Sequence, residues 1–182
     1  MRYFAVLAIA LAAVLVSSPV ATPSAPTKLE RRAALEAAVV REMNRVRAAR
    51  GLGPLHAAPS LRSAARSHSQ SMLSHGFFSH TSADGTAFSE RIRRYYSNAG
   101  WSRWTVGEAL MASQGSRFVD AQSVVKAWLE SPSHRTIILS PTWRDTGIGV
   151  LYAPSAPASF GGAEAVVVTA DFGLREGRAA NS

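Results

Sequence analysis

The chain has no cysteine in 182 residues. It can form no disulfide and attach no lipid to a thiol, so its stability must come from packing alone. Acidic residues are scarce, with 12 Asp and Glu against 20 Lys and Arg, a formal net charge of +8. Lysine is nearly absent, and Lys28 and Lys126 stand among scattered arginines such as Arg31, Arg41, Arg62 and Arg94. That imbalance favours loose contact with an anionic cell-envelope polymer or phospholipid head groups. No basic-aromatic stacking motif is present, so no nucleic-acid partner is expected. Long apolar runs are also missing, except at the amino end.

What is there begins with that exception. Arg2 precedes the unbroken apolar run Phe4 to Val16, and small residues and prolines follow from Ser17 to Ala25. A charged start, a short apolar core and a small-residue region predict a secretory signal peptide over residues 1–25. The core falls short of the roughly 20 residues that span a bilayer. Membrane contact is therefore expected only transiently, through this segment, and the rest is expected to be secreted or held in the cell envelope. An uncleaved anchor is the alternative, since no charge interrupts Tyr3 to Thr27. Residues 26–34 read as a linker, residues 35–175 as one domain and residues 176–182 as a disordered tail. A domain of that size can bury a real core.

Leu35, Val39, Met43 and Val46 recur at helical spacing, with Gly51 as a stop. A second helix starts near Pro59-Ser60, carries Leu61, Ala65, His68 and Met72 on one stripe, and ends at His75-Gly76. A short third helix is expected from Phe88 to Tyr96, then a loop holding Trp101 and Trp104, with at most a short strand near Val106. Asp120 is placed to cap a fourth helix bearing Val124, Val125 and Trp128. Ser131-Pro132 restarts the chain as a further short helix, with Ser131 as its cap. Residues 147–152 and 165–172 read as strands. Helices first and strands later predict an α+β fold with helices on a mostly antiparallel sheet.

Among the polar residues, His80, Glu108 and His134 stand apart because each lies at an element boundary. A lone carboxylate between Gly107 and Ala109 reads as buried, and a buried carboxylate needs a partner. Histidine supplies one, although spacing alone does not bring the three together. His56 reads as solvated, His68 as a hydrogen-bonded core histidine and His75 as a helix-end cation. Ser131, Ser133 and His134 lack a nucleophile elbow, and Glu130 reads as a surface charge rather than a second catalytic carboxylate.

Taken in order, the segments resemble the CAP superfamily of SCP-like domains, in its bacterial secreted branch. The resemblance rests on Asn44 to Arg47 with Gly51 to Leu55, on Leu61, Ala65, His68 and Met72, and on Phe78 to His80. It continues through Asp84-Gly85, Arg91, Gly107-Glu108, the run Trp128 to Leu139, Gly147 to Val150 and Asp171 to Gly173. It implies a three-layer α-β-α sandwich whose central cleft holds His80, Glu108 and His134 as ligand-binding residues. It also implies that His80 and His134 can hold a divalent metal, zinc for instance, although the same residues would equally suit an empty polar pocket. The ligand class it implies is a small-molecule, lipid-like, peptide or cell-envelope ligand, with Glu108 activating a zinc-bound water if the domain is a hydrolase. Two departures bear on that: Ala109 stands where the family has Asn, and Ser131 where eukaryotic relatives have a second glutamate. Binding is thus the first expectation, and whether the chain is an enzyme is left open.

Overall fold

A computed structural model describes residues 28–115 and 119–178. The expected signal segment and residues 179–182 lie outside the described residues. Among them, no helix is long and apolar enough to cross a membrane.

The elements in chain order are β1 (Glu30–Arg31), α1 (Ala33–Ala48), β2 (His56–Ala57), α2 (Pro59–His75), α3 (Phe88–Arg93), β3 (Trp101–Gln114), α4 (Ala121–Glu130), α5 (Pro132–Ile138), β4 (Asp145–Ala153) and β5 (Ala165–Arg178). The sheet runs β1-β4-β5-β3, with β2 also paired to β4, so the last strand lies in the middle. Only the β2–β4 pairing is parallel. Alternation of side chains along β4 then builds two cores. Ile148, Val150 and Tyr152 pack with Val39 and Met43 of α1, Val124 and Trp128 of α4 and Ile138 of α5. Leu151 faces the other way, against Met72 and Leu73 of α2, while α3 adds Ile92 beside Leu61 and Ala64. The result is the expected three-layer α-β-α sandwich.

Local signals explain most boundaries. Gly76 ends α2 in the left-handed region at φ 67°, where a side chain would be strained. Asp120 caps α4, its side chain accepting the Ser123 amide at 2.7 Å while the Ser123 hydroxyl answers the Asp120 amide. Ser131 holds the cap position of α5 without a side-chain cap bond, its hydroxyl lying 3.2 Å from that of Ser133 instead.

Three sequence expectations change. The supposed loop at Trp101 and Trp104 is part of a 14-residue strand, paired along its length with β5. Residues 176–178, expected in the tail, continue β5, with Glu176 opposite Arg103 and Arg178 opposite Trp101. The supposed linker contains β1, where Glu30 and Arg31 pair with Tyr152 and Leu151.

Gly147 and Gly149 allow the α2 layer to sit down on the sheet. A Cβ on Gly149 would lie 2.4 Å from the Ala65 carbonyl carbon, and one on Gly147 would lie 2.0 Å from the Arg62 amide nitrogen. The helix backbone occupies the space a side chain would need.

Candidate functional site

The site grows from the α2–α3 face of the sheet. Glu108 and Asp171 are opposite each other on β3 and β5. The parity of the ladder makes them a non-hydrogen-bonded pair, since Gly115, in step with Gly107 and Ala109, donates to the Glu164 carbonyl of the β5 side. Side chains of such pairs come closest, so two carboxyl groups meet on one buried face. Both residues are buried, Glu108 with no exposed side-chain surface.

Two donors answer Glu108. Arg91 of α3, itself buried, donates to one carboxylate oxygen, and His80 Nδ1 lies 2.8 Å from the other. Arg91 also donates to the His80 carbonyl at 3.0 Å and to the Ser82 hydroxyl at 2.8 Å. One guanidinium therefore clamps the loop around His80 and the carboxylate that orients its ring. His68 supports the same loop from below, its Nε2 2.8 Å from the Ser79 carbonyl. A carbonyl only accepts, so Nε2 carries the proton, and burial lowers the His68 pKa. His68 is thus the neutral core histidine its stripe implied.

A carboxylate likewise only accepts, so His80 donates through Nδ1 and its Nε2 is left facing outward. The His80 side chain is 51% exposed. His134 is half-buried on α5, and its pKa is lowered by burial and then by the charge of His80. The two imidazoles thus share an electrostatic field without a hydrogen bond between them. Trp143 positions the helix that carries His134. Its Nε1 donates to the Ile137 carbonyl at 2.8 Å, and its ring fills the place of a Gly107 side chain, 2.8 Å from a Cβ built there.

Asp171 is the part of the cluster that sequence reasoning passed over. Neither of its oxygens has a hydrogen-bond donor among the described residues. Its neighbour Glu108 is itself an acceptor, so the pair is satisfied only when Asp171 carries a proton and donates it. Burial, followed by the charge of Glu108, raises the Asp171 pKa well above the ordinary carboxylate range. The folded state then holds a proton that the unfolded chain has released. Stability linked to Asp171 is complete below the unfolded pKa and is lost as pH rises through the folded one. Asp171→Asn keeps the shape and a donor but does not titrate. Its unfolding free energy, measured in urea from about pH 4 to about pH 8, is expected to gain steadily on that of the parent protein. A difference that stays flat with pH would show an ordinary carboxylate at this position.

Among the described residues no group of three His, Cys, Asp or Glu side chains is arranged to hold a metal ion. Both Glu108 oxygens are engaged and His80 Nδ1 is committed, leaving His80 Nε2 and His134 as the donors. Catalytic zinc sites take three protein ligands, so these residues do not make up that set. Glu108, buried with one oxygen on Arg91 and the other on His80, is also poorly placed to activate a water.

The other candidates separate cleanly. Glu130 is exposed, 3.9 Å from Lys126. His75 Nδ1 lies 3.0 Å from the Ser71 carbonyl at the end of α2, and His56 is exposed in β2. Ala109, where the resemblance has Asn, is fully buried in the core on the opposite face from Glu108.

Comparisons with known proteins agree with this architecture. Residues 40–172 match the family model CAP, the cysteine-rich secretory protein family. The protein YkwD of Bacillus subtilis strain 168 is 32% identical over 134 residues, which is 74% of this chain and 48% of the relative. The chain thus spans about half the length of that curated relative. Among solved structures, an outer surface protein of Borrelia burgdorferi superposes with a TM-score of 0.64 at 21% identity, covering 82% of this chain and 99% of that one. An extracellular protein containing an SCP domain from Bacillus anthracis gives 0.61 at 21% identity, covering 79% of this chain and 41% of that one.

Proposed function

The chain belongs to the CAP, or cysteine-rich secretory protein, family, and from that premise we propose that it is a secreted binding module. Its cleft takes a small polar-headed ligand of the cell envelope on His80 and His134. One observation carries the reading: the buried Arg91–Glu108 pair is spent on orienting His80 and leaves Nε2 free at a half-exposed ring. Such a ring accepts a hydrogen bond from a ligand when neutral and donates one when protonated. A side chain held by two partners is pre-organised, which lowers the entropy cost of binding. The exposed Phe78 ring, two residues before His80, offers apolar surface for the rest of the ligand. Secretion is supported by the charged, apolar and small-residue pattern of residues 1–25 and by structural neighbours described as extracellular or outer-surface proteins.

The test is native mass spectrometry of the protein purified from its own host. A co-purifying small molecule is expected, and His80→Ala should weaken its retention by about tenfold or more, the worth of one hydrogen bond to a charged group. His134→Ala should weaken it as well, with folding checked by near-ultraviolet circular dichroism. Equal retention in parent and both variants would sink the proposal.

A further inference from the structure

At the opposite edge of the sheet from His80, β4 is covered only in part. β1 pairs with it at Leu151 and Tyr152, and β2 at Asp145 and Thr146. The even-numbered residues of β4 turn their backbone groups away from β5. The Val150 carbonyl accepts from the Arg32 amide, the Val150 amide donates to Glu36, and the Thr146 carbonyl accepts from the Ala58 amide. Ile148 lies between these two in the same parity, yet among the described residues nothing outside the sheet bonds its outward amide or carbonyl. A donor and an acceptor of one residue are thus left open on a strand edge.

They open onto a cavity of about 200 Å³ between α1 and α2. Its walls include Ala33, Ala37, Val40, Ala57 and Ala58, and its charged groups are Glu36, Arg62 and Arg66. Glu36 and Arg66 neutralise each other at 2.5 Å. Arg62 is exposed, and among the described residues no acidic group pairs with it. The cavity therefore combines small apolar walls, one backbone donor–acceptor pair and one uncompensated cation.

We propose that this gap in the β4 edge is a binding slot for the carboxyl-terminal end of an extended peptide with small side chains. Only an extended backbone presents an N–H and a C=O of one residue toward a strand edge at the spacing that Ile148 offers. The occupant is a chain end because β1 and β2 close the edge on both sides, leaving room to pair a single residue. The free carboxylate meets Arg62. The slot is independent of the His80 cleft, which adjoins β3 on the other edge.

The probe is N-acetyl-alanyl-alanine titrated into the isotope-labelled full chain and followed by amide NMR. A molecule of that size is expected to bind with a Kd on the order of 1 mM. In the free protein the Ile148 amide should exchange with solvent faster than that of Val150, and at saturation it should shift and exchange at least tenfold more slowly. The carboxamide form of the same peptide should bind about two- to fivefold more weakly, the scale of an exposed ion pair. Arg62→Ala should erase that difference. Ala37→Phe, at an exposed helix position, should fill the slot and abolish the Ile148 shift while leaving the fold intact. An Ile148 resonance that stays still at millimolar peptide would overturn the proposal. So would equal binding to Ala37→Phe, or an Ile148 amide already protected in the free protein.

Discussion

Arg91→Ala is expected to destabilise the protein by about 3–5 kcal/mol, the cost of leaving a buried charge without its partner. The carboxylate of Glu108 has no exposed surface, and Arg91 is its buried counter-charge. Removing the guanidinium leaves one charge of the pair deep in the fold beside the carboxyl of Asp171. It also frees the His80 carbonyl and the Ser82 hydroxyl from their shared donor. Urea denaturation at neutral pH gives the magnitude. Adding Glu108→Gln to Arg91→Ala removes the stranded charge, so the double variant should be more stable than Arg91→Ala. The coupling energy from the cycle should fall in the range of about 0.5–3 kcal/mol seen for contacting residues. If Arg91→Ala unfolds within about 1 kcal/mol of the parent, the clamp is not the central ion pair of this face.

The second large effect is expected where no side chain exists. Gly149→Ala should cost about 3 kcal/mol or more, at the upper end for overpacking, because its Cβ meets helix backbone rather than a movable side chain. For a domain of this size that corresponds to a fall in Tm of about 6–12 °C, measured by thermal unfolding. Gly53→Ala is the control, since nothing lies within 4 Å of a Cβ built there. It should leave stability within about 0.5 kcal/mol of the parent. Comparable losses at both positions would mean that close approach of α2 to β4 is not what glycine serves here.

The helices were readable because their apolar stripes are regular. Val39, Met43 and Val46 face one core and Leu61, Ala65 and Met72 the other, in the periods the spacing implies. β3 was not readable, and the reason is physical. It is covered on both faces, by α5 on one and by α2 and α3 on the other, so the apolar-polar alternation of a half-buried strand is lost. Its one strongly polar inward residue, Glu108, further disguises it. β1 and β2, two residues each, have no pattern of their own and exist because β4 offers an edge to pair with.

The site divides in the same way. His80 and Glu108 stood out as polar residues in odd places, but their pairing across 28 residues of chain needed the fold. Arg91 belongs to the family resemblance, but its role as partner of Glu108 is hidden, because an arginine in the polar helix Phe88–Arg93 looks like any solvated charge. Asp171 left a trace that went unused. A single carboxyl within the apolar run Ala165 to Phe172 carries the same signal of enforced burial that drew attention to Glu108.

The central place of β5 also constrains how the molecule can be assembled. β3 pairs with it along its whole length and β4 along the other edge, while β3 and β4 never touch as neighbours. Until residues 165–178 are in place, no pair of long strands can zip together, and α1, α2 and α4 have no completed surface on which to settle. Contacts so distant in sequence give a high contact order, and domains of that kind fold in milliseconds to seconds rather than microseconds. The chain should therefore fold as one late, cooperative event, with little native sheet surviving in any fragment that stops short of its final strand.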